Sequence, residues 1–491
     1  MQPPLLAGYD PPGRDELLDE HGGVRGAYAH LARLFEQWGI AELRTRQDRA
    51  EAALLTSGVT FGLGAGDERV ERIFPFDLIP RVIAAREWAQ IERGLIQRVR
   101  ALNAFLGDVY GERRALHDGV IPAEVVLGAP GYQPRMNGFR TPLGVYAHIV
   151  GTDLVRGADG RYVVLEDNLR TPSGVSYVLE NRAVMLRVAP ELFAAHDVAP
   201  VSDYPTRLRA ALLAVRPPRA TGTTTVVVLT PGMYNSAYFE HSFLAQQMGV
   251  ELAEPSDLVV HDEVVYLRAT SGLQRVDVVY RRIDDEYLDP LAFDPDSLVG
   301  VPGIFGAYQA GNVTLVNAPG AGVADDKLVF RWVPELIRYY LHEEPVLDAV
   351  PTLAAIVPEE LAQIREHARD LVLKPANASG GAGIVIGAQA SDEELRAALE
   401  RIEAAPREWI AQPLQEFSTI PTIIGDRIAP RRADLRPYVI TAAQSWVLPG
   451  ALCRVALAEG SYIVNSSRGG GSKDTWVLTG ASAADGGGGG C

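Results

Sequence analysis

Residues 163–182 read VVLEDNLRTPSGVSYVLENR. An apolar run ends in Glu166-Asp167-Asn168, an arginine follows at 170, and Thr-Pro-Ser-Gly breaks the strand pattern. Two readings fit: an ordinary strand end entering a turn, or oxygen ligands for a metal beside a phosphate-binding cation. The upstream residues bear on the choice. GVYAHIVGTDLVR (144–156) and RYVVLEDNL (161–169) are β-patterned and joined by Gly157-Ala158-Asp159-Gly160, a strong hairpin signal. With the turn centred near 158–159, Asp153 falls opposite about residue 164, and period-two alternation turns Glu166 and Asn168 the same way as Asp153. Two carboxylates and an amide on one face suit Mg²⁺, which takes one or two protein carboxylates and fills its shell with water and phosphate oxygens. Asp167 points to the other side and is expected to be solvated or to cap a turn. Arg170 shares the ligand face and can meet a phosphate or a carboxylate bidentately. On these residues alone, a polar hairpin face in water stays open.

A second stretch, LVLKPANASGGAGIVIG (371–387), delivers Lys374 from an apolar strand into a turn containing Ser379, Gly380, Gly381 and Gly383. Glycines let backbone N–H groups close on an anion, and the lysine supplies a point charge. The lysine precedes the glycines and no helix-opening Gly-Lys-Ser/Thr follows, so this is not a Walker A loop. A glycine hairpin with a surface lysine is the competing reading. DLR at 434–436, Arg454 and VNSSRGGGSKD (464–474) form a third group, read either as an anion-facing surface or as edge-strand arginines and a loop.

The chain of 491 residues predicts two or three domains. With 62 acidic against 46 basic residues its net charge is −16, which repels a phosphate backbone and argues against nucleic-acid binding as the main task. A nucleotide pocket is compatible, because local cations outweigh the global sign. No apolar window is long enough to span a membrane, and the N-terminus lacks the pattern of a secretory signal. Two cysteines, Cys453 and Cys491, cannot build a disulfide framework or a zinc site. Together these features predict a cytoplasmic protein.

Residues 25–55 and 83–112 carry helical periodicity. PPRATGTTT near 217 reads as a linker, after which VVVLTPG and a helix around 238–248 begin a new βα unit. The expected organisation is a mostly helical region over 1–135, the hairpin part over 136–215, a middle domain over 216–320, a strand-rich part over 321–479 and a flexible glycine-rich tail over 480–491. His241 and the Trp and Tyr residues near 332–340 are expected to be structural. Arg281-Arg282 with Asp284-Asp285 is expected to be a surface ion cluster, with an acceptor-pocket lining as the alternative.

Lys327, Lys374 with its glycine turn, and the hinge-like Ala411-Gln412-Pro413-Leu414 resemble the nucleotide half of an ATP-grasp ligase. The resemblance implies that Lys327 and Lys374 contact phosphates, that the glycine loop closes over them, and that the hinge at Gln412 and Leu414 reads adenine. DLR, Arg454 and Asn465 with Arg468-Gly469-Gly470 resemble the acceptor and phosphate strands of peptide-forming members. The aspartate and Glu-x-Asn that should follow stand instead at Asp153 and Glu166–Asn168, the rotated order of circularly permuted ATP-grasp proteins resembling glutathionylspermidine synthetase. PFDLIPRVI (75–83), MNGFRTPLGVYAHIVGTDLVR (136–156), LEDNLRTPSGVSY (165–177), YRRIDDEYLDP (280–290) and NSSRGGGSKDTWVL (465–478) resemble the bacterial circularly permuted group across about residues 8–479. The implied fold is α+β with α/β character: a permuted ATP-grasp with a helical N-terminal region and an inserted Rossmann-like domain. The implied activity is an ATP- and Mg²⁺-dependent carboxylate–amine ligase, with Asp153, Glu166 and Asn168 on the metal and Arg170, Arg436 and Arg454 on the transferring phosphoryl and the carboxylate. A kinase on the same fold and a catalytically silent nucleotide-binding scaffold are the alternatives. Small-molecule or peptide substrates are expected as partners, together with an α-helical-domain protein and a transglutaminase-like protein of the same system.

Overall fold

The hairpin lies within the largest sheet. A computed structural model of the chain describes residues 4–63, 70–377, 383–462, 464 and 470–480. Eight strands build this sheet: β1 (Phe76–Ile83), β2 (Ile149–Arg156), β3 (Tyr162–Asn168), β4 (Asp348–Ala349), β5 (Thr419–Ile424), β6 (Arg427–Thr441), β7 (Ser445–Val455) and β8 (Gly471–Val477). Their order is β4-β3-β2-β6-β7-β8-β1, with β5 paired to β6. β2 is antiparallel to β6, with Leu154 opposite Leu435 and Gly151 opposite Tyr438. Early and late parts of the sequence therefore share one sheet. The N-terminal region is helical in α1 (Ala29–Thr56) and α2 (Ala85–Val109), but it also supplies β1, which runs parallel to β8.

Alternation along the strands separates two faces. Leu154, Val164, Leu435 and Cys453 pack with the apolar stripe of α2, including Leu95, Val99, Leu102 and Phe105. Ile149, Tyr438, Leu448 and Leu452 face the other way, toward α1 and α3 (Val175–Val188). Burying both faces under helices gives a three-layered α+β core.

The hairpin register differs from the expected one. Leu154 opposes Val164, whereas Asp153 opposes Glu166 and Gly151 opposes Asn168. Leu165 is the extra residue of a β-bulge, and unbulged pairing would place Leu165 opposite Asp153. The bulge therefore puts Glu166 and Asn168 on the face of Asp153. The expectation of a solvated or capping Asp167 is wrong: it points to the α2 face and is 6% exposed. There Arg98 Nε donates to both of its carboxylate oxygens at 2.9 and 2.8 Å, and Thr152 Oγ1 donates at 3.1 Å.

Four short strands, Glu251–Ala253, Val226–Leu229, Val278–Arg281 and Thr314–Val316, form in that order an all-parallel sheet. An antiparallel meander of Leu258–His261, Val264–Ala269 and Gly272–Arg275, not anticipated from the pattern, interrupts this unit. Asn317 ties the unit to the large sheet: its Oδ1 accepts from the backbone N–H groups of His148 and Ile149, and its Nδ2 donates to the carbonyls of Ile149 and Leu169. A further four-stranded sheet, Leu353–Ala354, Trp409–Pro413, Leu371–Pro375 and Val385–Ile386, is antiparallel. Helices Pro358–His367 and Asp392–Ala404 cover it through Ile364, Leu395 and Ile402.

Removing one member of a buried ion pair leaves the other charge desolvated and unpaired. Arg98→Met should therefore lower unfolding free energy by about 3–5 kcal/mol, read from denaturant titration, whereas exposed Arg365→Met should change it by less than about 1 kcal/mol.

Candidate functional site

The large sheet, the parallel sheet and the segment leaving strand Leu371–Pro375 border a cleft of about 590 Å³. The large sheet contributes Glu166, Asn168, Arg436 and Arg454 to its walls. Arg282 and Asp284 enter from the carboxyl end of strand Val278–Arg281, where ligands of parallel sheets commonly bind. Lys327, Ala376 and Asn377 close the third side. Lys327 opens the short helix Lys327–Phe330, which Asp326 caps through the N–H of Leu328. Its own N–H donates to the Ala376 carbonyl at 3.3 Å, joining it to the segment that leaves Lys374.

The sheet face of the cleft carries a dense charge network. Arg436 donates to both carboxylate oxygens of Asp153, from Nη2 at 2.7 Å and from Nε. Arg454 Nη2 adds a bond to Asp153 at 2.7 Å, and its Nε donates to both oxygens of Asp434 at 3.0 Å. Burial opposes ionisation of Asp153, yet the two guanidinia outweigh it and hold the carboxyl well below the usual range. Lys327 Nζ lies 3.4 Å from Glu166, and Arg436 lies 4.0 Å from its other oxygen. Asn168 donates its amide N–H to the Gly151 carbonyl, leaving its side-chain oxygen as the acceptor.

Lys374 donates to Gln412 Oε1 at 2.6 Å, and among the described residues no carboxylate lies within 4 Å of it. Burial pushes its pKa down from 10.5 to about 8; Glu166 partly opposes this and Lys327 adds to it. Such a lysine is electrostatically unsatisfied and fits an incoming phosphate. Among the described residues no group of three or more His, Cys, Asp or Glu side chains is placed to hold a metal.

The structure brings Asp153, Glu166, Asn168, Lys327, Arg436 and Arg454 together. The oxygens of Asp153, however, are turned to arginines. Arg170 also lines the cleft, paired with Asp325 at 2.7 Å. Gln412 is buried and its amide nitrogen donates to Thr352. Leu414 N–H donates to the Asp370 carbonyl at 3.3 Å, so this amide is engaged within the protein. Gly383 takes φ +71°, where a Cβ would lie 2.9 Å from Pro375 Cγ. Ser379, Gly380 and Gly381 lie outside the described residues, as do Asn465, Arg468, Gly469 and Cys491.

The expected surface ion cluster is buried instead. Arg281 is 0% exposed and bonds the Asn317 and Ile283 carbonyls, while Asp285 lies 2.5 Å from it. Arg282 Nη1 donates to the Pro172 carbonyl and its Nη2 to Glu240. His241 is buried with Nδ1 2.9 Å from Thr230 Oγ1; burial and then Arg282 keep it neutral. Sequence reasoning missed Glu240, whose Oε2 accepts from Gly174 N, Ser176 N and Ser176 Oγ at the start of α3. Gly174 takes φ +112° there, and a Cβ would meet the Tyr438 hydroxyl at 2.6 Å. A glycine opening a helix was the one legible trace of this junction.

This architecture agrees with the comparisons. The model of the circularly permuted ATP-grasp type 2 family matches residues 80–456, and the chain belongs to that family. An uncharacterised protein of Synechocystis is 51% identical over 97% of this chain and 99% of its own length. A Frankia alni protein carrying the provisional name glutamate–cysteine ligase 2-3 is 46% identical over 97% of this chain, which spans 55% of that relative. The solved structure of a glutathione synthetase-like effector from Globodera pallida aligns with TM-score 0.55 and 12% identity, covering 88% of this chain and 96% of its own, a likeness of fold.

An anion beside Lys374 favours the ammonium, so binding takes up a proton wherever the empty site holds the neutral amine. ADP affinity should therefore be full below pH 8 and weaken by up to about tenfold per pH unit above it. Calorimetry from pH 7 to 9.5 checks this, and Lys374→Gln should bind more weakly with that slope removed.

Proposed function

We propose that the chain is an ATP-dependent carboxylate–amine ligase: the carboxylate takes the γ-phosphoryl group as an acyl phosphate, an amine displaces phosphate, and ADP is released. The observation that carries this reading is the pairing of Lys327 with Glu166 in a cleft walled by arginines and carboxylates, with Lys374 behind it within electrostatic reach of both. Lys327 and Lys374 bind the phosphates. Arg436 and Arg454, preset by Asp153 and Asp434, stabilise charge on the transferring phosphoryl group and hold the carboxylate. Arg170 guides the same carboxylate from across the cleft. Fixed cations of this kind need no reorganisation at the moment of transfer.

Glu166 and Asn168 fit Mg²⁺, being two oxygen donors opposite a phosphate-binding lysine. When bound, the ion neutralises charge on the phosphates. Asp153 serves this reading as the anchor of the arginines. The parallel-sheet unit is read as a Rossmann-like insertion bearing the acceptor side. The ligase reading agrees with the names of the glutamate–cysteine ligase relative and the glutathione synthetase-like structure.

Magnesium-dependent ADP release against amino acids and short peptides, with mass spectrometry of products, tests the activity. A condensed product is expected; a stable phospho-product or ATP binding without turnover would overturn it. Glu166→Gln should keep the thermal transition and lower turnover by roughly 10²–10³-fold, the scale of losing a positioned electrostatic group.

A further inference from the structure

One carboxylate in the cleft has no structural employment. Asp284 occupies the N-cap position of the helical turn Asp285–Leu288, where an aspartate ordinarily accepts a backbone N–H, yet its side chain makes no capping bond. The carboxylate is half-buried, lines the cleft, and among the described residues accepts a side-chain hydrogen bond only from the Thr171 hydroxyl, at 3.4 Å. Among the described residues no lysine, arginine or histidine nitrogen lies within 4 Å of it, since neighbouring Arg170, Arg281 and Arg282 pair with Asp325, Asp285 and Glu240. Arg170 attracts Asp284 only from beyond ion-pair distance while bonded to Asp325, so the half-buried carboxylate keeps room for a cation in direct contact. Two residues earlier Arg282, 4% exposed and lining the same wall, has a buried Nε with no hydrogen-bond partner among the described residues.

We propose that Asp284 and Arg282 form the subsite for the amine substrate, Asp284 receiving its ammonium and Arg282 an oxygen next to it. The ligand class is an α-amino carbonyl compound: a free amino acid, or the amino end of a peptide. This assignment rests on the ligase reading and deepens it. It gives the cleft a polarity, with cations on the large sheet for phosphate and carboxylate and an anion on the parallel sheet for the amine.

Binding to the full chain can be read by ligand-observed NMR with two probes, glycinamide, which has the ammonium, and acetamide, which lacks it. The wild type should prefer glycinamide by at least tenfold, and Asp284→Asn should lose that preference while acetamide binding and the melting temperature stay put. Asp284→Glu should restore part of the preference, which a merely structural role would not produce. Equal binding of the two probes by the wild type, or an undiminished preference in Asp284→Asn, would overturn the subsite. The ligase reading is tested apart from it: with ATP, Mg²⁺ and a panel of amino acids and short peptides supplying the carboxylate, hydroxylamine, uncharged at neutral pH, should displace phosphate from the acyl phosphate and give a hydroxamate in the wild type. Glycinamide preference that depends on Asp284 without any hydroxamate would support the amine subsite and count against the ligase.

Discussion

Asp153 on β2, Asp434 and Arg436 on β6 and Arg454 on β7 form one hydrogen-bonded cluster in the middle of the large sheet. Both aspartates are 1% exposed, so each charge depends on its partners being in place. A cluster of this kind contributes little net stability, because desolvation offsets the Coulombic gain. Its consequence is geometric: the wrong register of β2 against β6 would strand a buried charge, so the strands have one permitted alignment. Everything facing the cleft inherits that alignment. Glu166 sits opposite Asp153 across the hairpin, and Arg436 reaches toward both.

The other walls are fixed to this platform by polar contacts that span units. Asn317 bonds four backbone groups of the large-sheet segments 148–169 from the end of the parallel sheet. Glu240 and Arg282 hold the turn 172–176 from the same unit, while Tyr438 holds the Ser173 carbonyl from β6. The turn is thus gripped from two sides, and the cleft keeps its shape through buried bonds that solvent cannot easily replace. Preorganised walls are what charge stabilisation during phosphoryl transfer requires.

Much of this was legible because it rests on local chemistry. The Gly157–Gly160 turn and the alternation on either side specify a hairpin, and the spacing of apolar residues specifies α2. The long motifs matched a permuted family, and the family model agrees. Residues whose role depends on a distant partner were misread. Asp167 is solvated by every local criterion, and only Arg98, 69 positions earlier in sequence, makes it a buried ion. Arg281 and Arg282 look like surface charges until the carbonyls of Asn317 and Pro172 close on them.

Periodicity and turn chemistry within a few residues were enough to give the inventory: the hairpin, the helices, the two lysines and the acid–amide–arginine run. The pairing of charges, in contrast, came from long-range packing. The bulge at Leu165 sets Glu166 directly opposite Asp153, β6 supplies partners of Asp153, and Asp284 makes no capping bond to the helical turn that follows it. A charge is defined by what lies within a few ångströms of it, and here those neighbours come from strands hundreds of residues apart. Local sequence carries no record of that distance.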